Sequence, residues 1–130
     1  MTTPVEIVQD FYAALERGDA PRALALMSED IEWTTMWYCQ VKECGPQAVA
    51  EGLLAPLMAE WSSFRIAPTE FVSEGETAVS IGRFVGTHGT TGKTGKTADA
   101  GYAHVWTVCS GRIARFRQYI DTKAVADARI

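Results

Sequence analysis

Near the start of the chain Val5, Val8, Phe11, Tyr12 and Leu15 recur at helical spacing, so one face of an amphipathic helix is apolar. Thr3-Pro4-Val5-Glu6 in front of them has the form of a capping box with proline at the first helical position, and Gly18 is placed to end the helix in a left-handed turn. Asp19 can cap a second helix through Leu24, Leu26 and Met27, predicted to run to about Ser28. Ile31-Glu32-Trp33-Thr34-Thr35 reads as a short strand, and residues 36–45, with Trp37 and Tyr38 adjacent, as a loop or short strand near a pocket mouth. Pro46 opens a third helix through Ala48, Val49, Leu53 and Leu54. Pro56 is expected to kink or interrupt it, because proline removes one helical hydrogen bond and clashes with the preceding turn.

Beyond Trp61 the period changes from helical to alternating. Strands are predicted over 64–72 and 76–87, joined by Ser73-Glu74-Gly75-Glu76, followed by a hairpin whose two runs flank Cys109-Ser110-Gly111. Directly paired residues share a sheet face. Pairing Val108 with either Arg112 or Ala114 therefore puts Tyr102, His104, Trp106, Phe116, Gln118 and Ile120 on one face. Ala103, Val105, Thr107, Arg115, Arg117 and Tyr119 form the other, a mixture suited to solvent or a partner sheet. The glycine-rich residues 89–97 predict an exposed, mobile loop, with His88 beside it in solvent. Helices first and a meander of strands last define an α+β chain, its helices covering one face of a curved antiparallel sheet.

With 130 residues the chain is read as one domain spanning 1–130. A net charge of −4 disfavours a nucleic-acid partner, and no apolar run is long enough for a membrane helix. Cys39, Cys44 and Cys109 follow no zinc or redox spacing, and the N-terminus lacks a basic stretch before an apolar run, so a cytoplasmic protein is expected. With two histidines and no close acid pairing, neither a metal nor another cofactor is expected. The threonine- and glycine-rich loop lacks the spacing of a phosphate-binding loop.

The candidate chemistry lies on the aromatic face of the hairpin. An apolar surface with a few convergent polar groups is the usual make-up of a small-molecule pocket. His104 is its candidate proton-transfer group and Gln118 its orienter or a ligand hydrogen-bond donor; the competing reading is a core histidine bonded to Gln118 or to a carbonyl. Trp33, Trp106 and Phe116 are expected as walls, with Phe11 and Tyr12 facing them from the first helix; a rim position is the commoner outcome for the Tyr12 hydroxyl. Asp121 reads as the N-cap of a terminal helix, and Glu43 as an acid of the aromatic loop.

The order of elements, together with Phe11-Tyr12-Ala13-Ala14-Leu15-Glu16-Arg17-Gly18-Asp19, Ser28-Glu29-Asp30-Ile31-Glu32-Trp33, Gly45-Pro46-Gln47-Ala48-Val49, Ala103-His104-Val105-Trp106 and Arg117-Gln118-Tyr119-Ile120-Asp121-Thr122, resembles the SnoaL-like branch of the nuclear transport factor 2-like superfamily. That branch is related to ketosteroid isomerases, polyketide cyclases and limonene epoxide hydrolases. The resemblance implies a cone-shaped α+β barrel around a deep apolar cavity, commonly in a homodimer. It also implies positions for catalytic groups. The isomerases' oxyanion tyrosine falls at Phe11, their general-base aspartate near Thr35 and their second oxyanion acid at His104, so two of three groups are missing. The aspartate of the epoxide hydrolases, and that of the cyclases, falls at Gln118, which takes up no proton at neutral pH.

Two functions follow as expectations. One is a cofactor-independent isomerase, cyclase or dehydratase acting on an apolar carbonyl- or hydroxyl-bearing compound. The other is a non-catalytic ligand-binding or dimerisation module on the same fold.

Overall fold

The computed structural model describes residues 2–89 and 95–130. Helix α1 (Pro4–Glu16) starts on the capping box: the Thr3 side chain accepts from the Glu6 amide while Glu6 reaches back to Thr3. Its apolar stripe, Ile7, Val8, Phe11 and Tyr12, is buried across the sheet. Helix α2 (Ala20–Ala25) is capped by Asp19 as expected but ends earlier than expected, because strand β1 (Met27–Thr34) already begins at Met27.

The third helical stretch is more unusual. Helix α3 (Pro46–Val49) passes through one turn of π-helix (Ala50–Leu54) into α4 (Ala55–Glu60), so Pro56 neither stops nor sharply breaks the path. Pro56 offers no amide to the Gly52 carbonyl one turn back. The Cys39 thiol donates to that carbonyl instead, at 3.2 Å. A buried acceptor freed by proline thus finds a donor in the 36–45 segment, which fixes the segment against the helix.

Strands β2 (Trp61–Glu74), β3 (Thr77–His88), β4 (Thr97–Cys109) and β5 (Arg112–Ile120) form an antiparallel meander, and β1 joins its far edge in parallel with β5. The sheet is therefore mixed, in the order β1-β5-β4-β3-β2. Parallel pairing is possible because three strands and three helical segments separate β1 from β5, leaving chain enough for the return. Ser110 and Gly111, both at positive φ (52° and 77°), make the two-residue β4–β5 turn, a geometry that follows the sheet twist.

The hairpin register differs from both expected pairings: Cys109 meets Arg112, Val108 meets Ile113 and Thr107 meets Arg115. Ala114 is the extra residue of a bulge, which switches parity so that Ile113 and Phe116 both face the core. A second irregularity at Thr69 bends β2. There the chain presses so close that a Cβ at Gly82 would lie 2.3 Å from the Ala67 carbonyl oxygen and 2.7 Å from the Tyr102 hydroxyl. Glycine is required at that contact. Helix α5 (Thr122–Arg129), capped by Asp121, packs on β4.

The predicted loop over 89–97 lies largely outside the described residues. His88, expected in solvent, is buried, because it continues the inward parity of Ser80, Gly82, Phe84 and Gly86 along β3. No helix among the described residues is long and apolar enough to cross a membrane.

Candidate functional site

Between α1, the α3–α4 stretch and the concave sheet face lies a cavity whose wall includes the seven residues expected at the site: Phe11, Tyr12, Trp33, His104, Trp106, Phe116 and Gln118. Cross-strand pairing places them there. His104 lies opposite Gln118 and Trp106 opposite Phe116, while Trp33 of β1 pairs with Phe116 and stacks on it at 3.9 Å between ring centroids. Among the described residues no Asp, Glu, Lys or Arg contributes to the wall. The open space is small, about 40 Å³, where one water needs roughly 10–15 Å³ on the same measure. Aromatic side chains fill most of what a wider cavity of this shape would leave empty.

The polar heart of the wall is a chain of four side chains from three elements. The Trp106 Nε1–H donates to Ser80 Oγ at 3.0 Å, the Ser80 and Tyr12 hydroxyls are 2.6 Å apart, and Tyr12 Oη is 2.5 Å from His104 Nδ1. Counting protons assigns the direction. An indole can only donate, so Ser80 accepts from Trp106; Ser80 then donates to Tyr12, and Tyr12 to Nδ1. Within the four-residue chain every hydroxyl and indole proton then has an acceptor, whereas a proton on Nδ1 would leave one hydroxyl of the chain with none. This assigns His104 as the Nε2–H tautomer, with its Nε2 proton left for a partner outside the chain.

Electrostatics agree with this assignment. Complete burial pushes the His104 pKa from 6.5 down to about 3, so the ring is neutral across the physiological range. Burial, joined by the neighbouring Tyr102 phenol, also pushes the Tyr12 pKa up. The site thus presents a neutral donor rather than a base with a ready proton-acceptor nitrogen. Tyr102 stacks on the imidazole at 3.8 Å, and burial raises its own pKa to about 12.

The Tyr12 hydroxyl does not sit at a rim: the residue is 5% exposed, since α1 lies flat on the sheet and aims its ring at β3 and β4. Nor does Gln118 orient His104. Its Oε1 accepts from the Met36 amide at 3.3 Å, tying the start of the 36–45 segment to β5. That segment is a loop in which Thr35, Trp37 and Cys39 point inward while Met36, Tyr38 and Gln40 point out. Thr35 and Trp37 join the cavity wall; the sequence places residues 36–45 near a pocket mouth but marks neither of the two as a wall residue, nor Phe84. The signal was the inward parity of Ile31 and Trp33 carried on past the end of β1. Glu43 is exposed and outside the wall.

A second polar cluster lies at the other end of the sheet. Glu60 takes two hydrogen bonds from Arg129, at 2.7 and 3.2 Å, and His88 Nε2 lies 3.1 Å from its Oε2. The Arg129 guanidinium covers the Tyr38 ring at 3.6 Å, and Tyr38 accepts from the Trp61 indole at 2.8 Å. Burial opposes the Glu60 charge, but the hydrogen bonds from Arg129 and Tyr38 outweigh it and hold the carboxyl below its ordinary pKa. These contacts fasten α5 to α4 and to the 36–45 segment. Among the described residues no group of three or more His, Cys, Asp or Glu is placed to hold a metal ion.

Helices laid on the concave face of a curved sheet, with an apolar cavity between them, make this an NTF2-like protein. Residues 8–116 match the SnoaL-like domain model, and the chain belongs to that family. An NTF2-like protein of Burkholderia thailandensis is 34% identical over 98% of each chain, with a TM-score of 0.91. TerC, whose structure was determined from a co-crystallisation with polyporic acid, is 25% identical over 96% of each chain, with a TM-score of 0.84. A candidate polyketide cyclase of Pseudomonas putida is 22% identical over the full length of both chains, with a TM-score of 0.80, a likeness of fold. No curated protein matches the chain.

Proposed function

We propose that this protein binds a small, uncharged, largely apolar molecule in the cavity between α1 and the sheet, with His104 donating a hydrogen bond through Nε2. The observation that carries this reading is the Trp106–Ser80–Tyr12–His104 chain, which holds one neutral imidazole in an otherwise uncharged aromatic wall. An ion entering such a wall would lose its hydration with no opposite charge to meet it. A compound with ring or alkyl surface and one or more oxygen atoms fits. The co-crystallisation of TerC with polyporic acid supports a small-molecule role on this fold.

The void is smaller than a ring compound, so binding requires wall side chains to retract. Leu53 and Leu54 are carried by the π turn, a rare helical form found mostly as single turns and frequently at functional sites, and both line the cavity. Isothermal titration with a panel of apolar ketones and alcohols, run in parallel on Phe116→Trp, tests the reading. Binding to the wild type that is lost when the larger ring fills the wall supports it; equal binding to both proteins contradicts it.

Catalysis is the second reading, favoured by the fixed imidazole tautomer. A cofactor-independent isomerase, cyclase or dehydratase would use the His104 Nε2–H to polarise a carbonyl or to hand over a proton, contributing roughly 10²–10⁴-fold. Full transfer would leave the proton deficit on Tyr12, whose raised pKa opposes it, so hydrogen-bond donation is the favoured form. Turnover that survives His104→Ala would remove this reading and leave the binding role standing.

We also propose a homodimer through the outer sheet face, where Ile81, Val85 and Tyr119 remain about two-fifths exposed beside Arg115 and Arg117. Light scattering showing a monomer at micromolar concentration would contradict it.

A further inference from the structure

The four tryptophans divide into two pairs. Trp61 donates its indole N–H to Tyr38 at 2.8 Å and Trp106 donates to Ser80 at 3.0 Å. The indole N–H groups of Trp33 and Trp37 are shielded from solvent and meet no acceptor among the described residues. Both residues are 5% exposed, and both line the cavity. A buried donor without an acceptor costs free energy comparable to a lost hydrogen bond, and native proteins leave few of them. Two on one cavity wall, next to two indoles that are satisfied, is a pattern with a chemical reading. An indole cannot accept, so whatever completes these groups must bring lone pairs.

The remaining wall narrows the class. Among the described residues it holds no Lys or Arg to neutralise a carboxylate or phosphate, and no Asp or Glu to receive an ammonium. The acceptor is therefore neutral. Hydroxyl oxygens accept too, but each brings a proton that needs its own acceptor. On the same wall the Thr35 hydroxyl already donates to the Cys39 carbonyl at 2.7 Å, and the Tyr102 hydroxyl is buried without a partner among the described residues, a third donor in need of an acceptor. A carbonyl oxygen carries two lone pairs and no proton to place. Aromatic rings face the void from Trp33 and Phe116 on one side and from Trp37 and Phe84 on the other, which suits a flat, rigid body.

We propose that the ligand is a rigid, uncharged diketone built on one or two fused rings, and that Trp33 and Trp37 select it by donating to its carbonyl oxygens. This rests on the small-molecule reading above and adds to it the identity of the polar groups and of the residues that recognise them.

The test uses one carbon skeleton at three oxidation levels: indane carrying two methyl groups at its central ring carbon, its monoketone and its diketone, the methyl groups blocking enolisation between the two carbonyls. Affinities are measured by titration on the full chain, and the four indole N–H signals are followed by proton–nitrogen NMR. Each carbonyl is expected to raise affinity about 3- to 10-fold. The Trp33 and Trp37 signals should move downfield with the ketones but not with indane, while those of Trp61 and Trp106 respond to all three alike. Trp33→Phe and Trp37→Phe should each shrink the affinity advantage of the diketone over indane by about one such step. The NMR result on the wild type stands even where a variant fails to fold. If all three compounds bind equally and the Trp33 and Trp37 signals respond to them alike, the selection by carbonyls is overturned and the small-molecule reading survives. If none of the three moves a signal from the cavity wall, both fall.

Discussion

The two histidines are buried to the same extent, 5% exposed each, and live in opposite surroundings. His104 sits in a wall without charges, receives one hydrogen bond from a phenol, and is held neutral by desolvation. His88 sits against the Glu60 carboxylate, in a cluster that includes Arg129 and the faces of Tyr38 and Trp61. Burial alone therefore says little about what a histidine does. Its partners decide whether the ring is a fixed neutral donor facing a cavity or a strut in an ionic clasp that fastens a terminal helix.

Substitutions test that contrast from both ends. The largest effect is expected from Phe116→Ala, since Phe116 packs between Trp33 and His104 with ring centroids 3.9 and 4.8 Å away. Unfolding by denaturant should show a loss of about 3–5 kcal/mol, and water admitted beside His104 should raise its pKa back toward the ordinary value, making it resemble a solvated histidine.

Acid should act next. The folded-state pKa of His104 lies below 6.5, so as pH falls from 6.5 toward about 3 the unfolded chain takes up a proton that the folded chain refuses. Stability conferred by this residue is complete above that window and declines through it, by at most about 1.4 kcal/mol per pH unit. Comparing the pH dependence of wild type with that of His104→Asn isolates the contribution. Identical slopes would show that burial does not suppress protonation.

Tyr12→Phe removes the hydroxyl that links His104 to Ser80 and strands both partners. The expected cost is about 1–3 kcal/mol, accompanied by loss of tautomer preference in the imidazole nitrogen spectrum. Smallest is Glu60→Gln, expected to cost about 1 kcal/mol because Arg129 is one-third exposed and keeps a neutral acceptor. It should loosen α5 in hydrogen exchange and leave the His104 spectrum untouched. A change at His104 would mean that the two regions are coupled.

Much of this architecture was legible before any coordinates. The Thr3–Glu6 capping box, the Asp19 and Asp121 caps and the Ser110-Gly111 turn are local signals with local causes, and each appears as expected. The inward face of the last hairpin was also legible although its register was not: the true pairing at the turn is offset by one residue, which alone would turn β5 over, and the Ala114 bulge restores the expected face beyond it. The partners of His104 were not legible. Tyr12 and Ser80 are brought to it over 92 and 24 residues by packing of α1 and pairing of β3, which no sequence window spans. Two misses had readable signals. Parity continued past Thr34 puts Thr35 and Trp37 inside, and parity carried along β3 puts His88 inside; the aromatic pair and the neighbouring glycines masked both.

The account turns on the state of one imidazole. Long-range proton–nitrogen NMR on uniformly labelled protein between pH 5 and 8 reads it directly. The account predicts one neutral His104 pattern with the proton on Nε2, unchanged across that range. A proton on Nδ1, or a titration with its midpoint near the ordinary histidine value of 6.5, would contradict it.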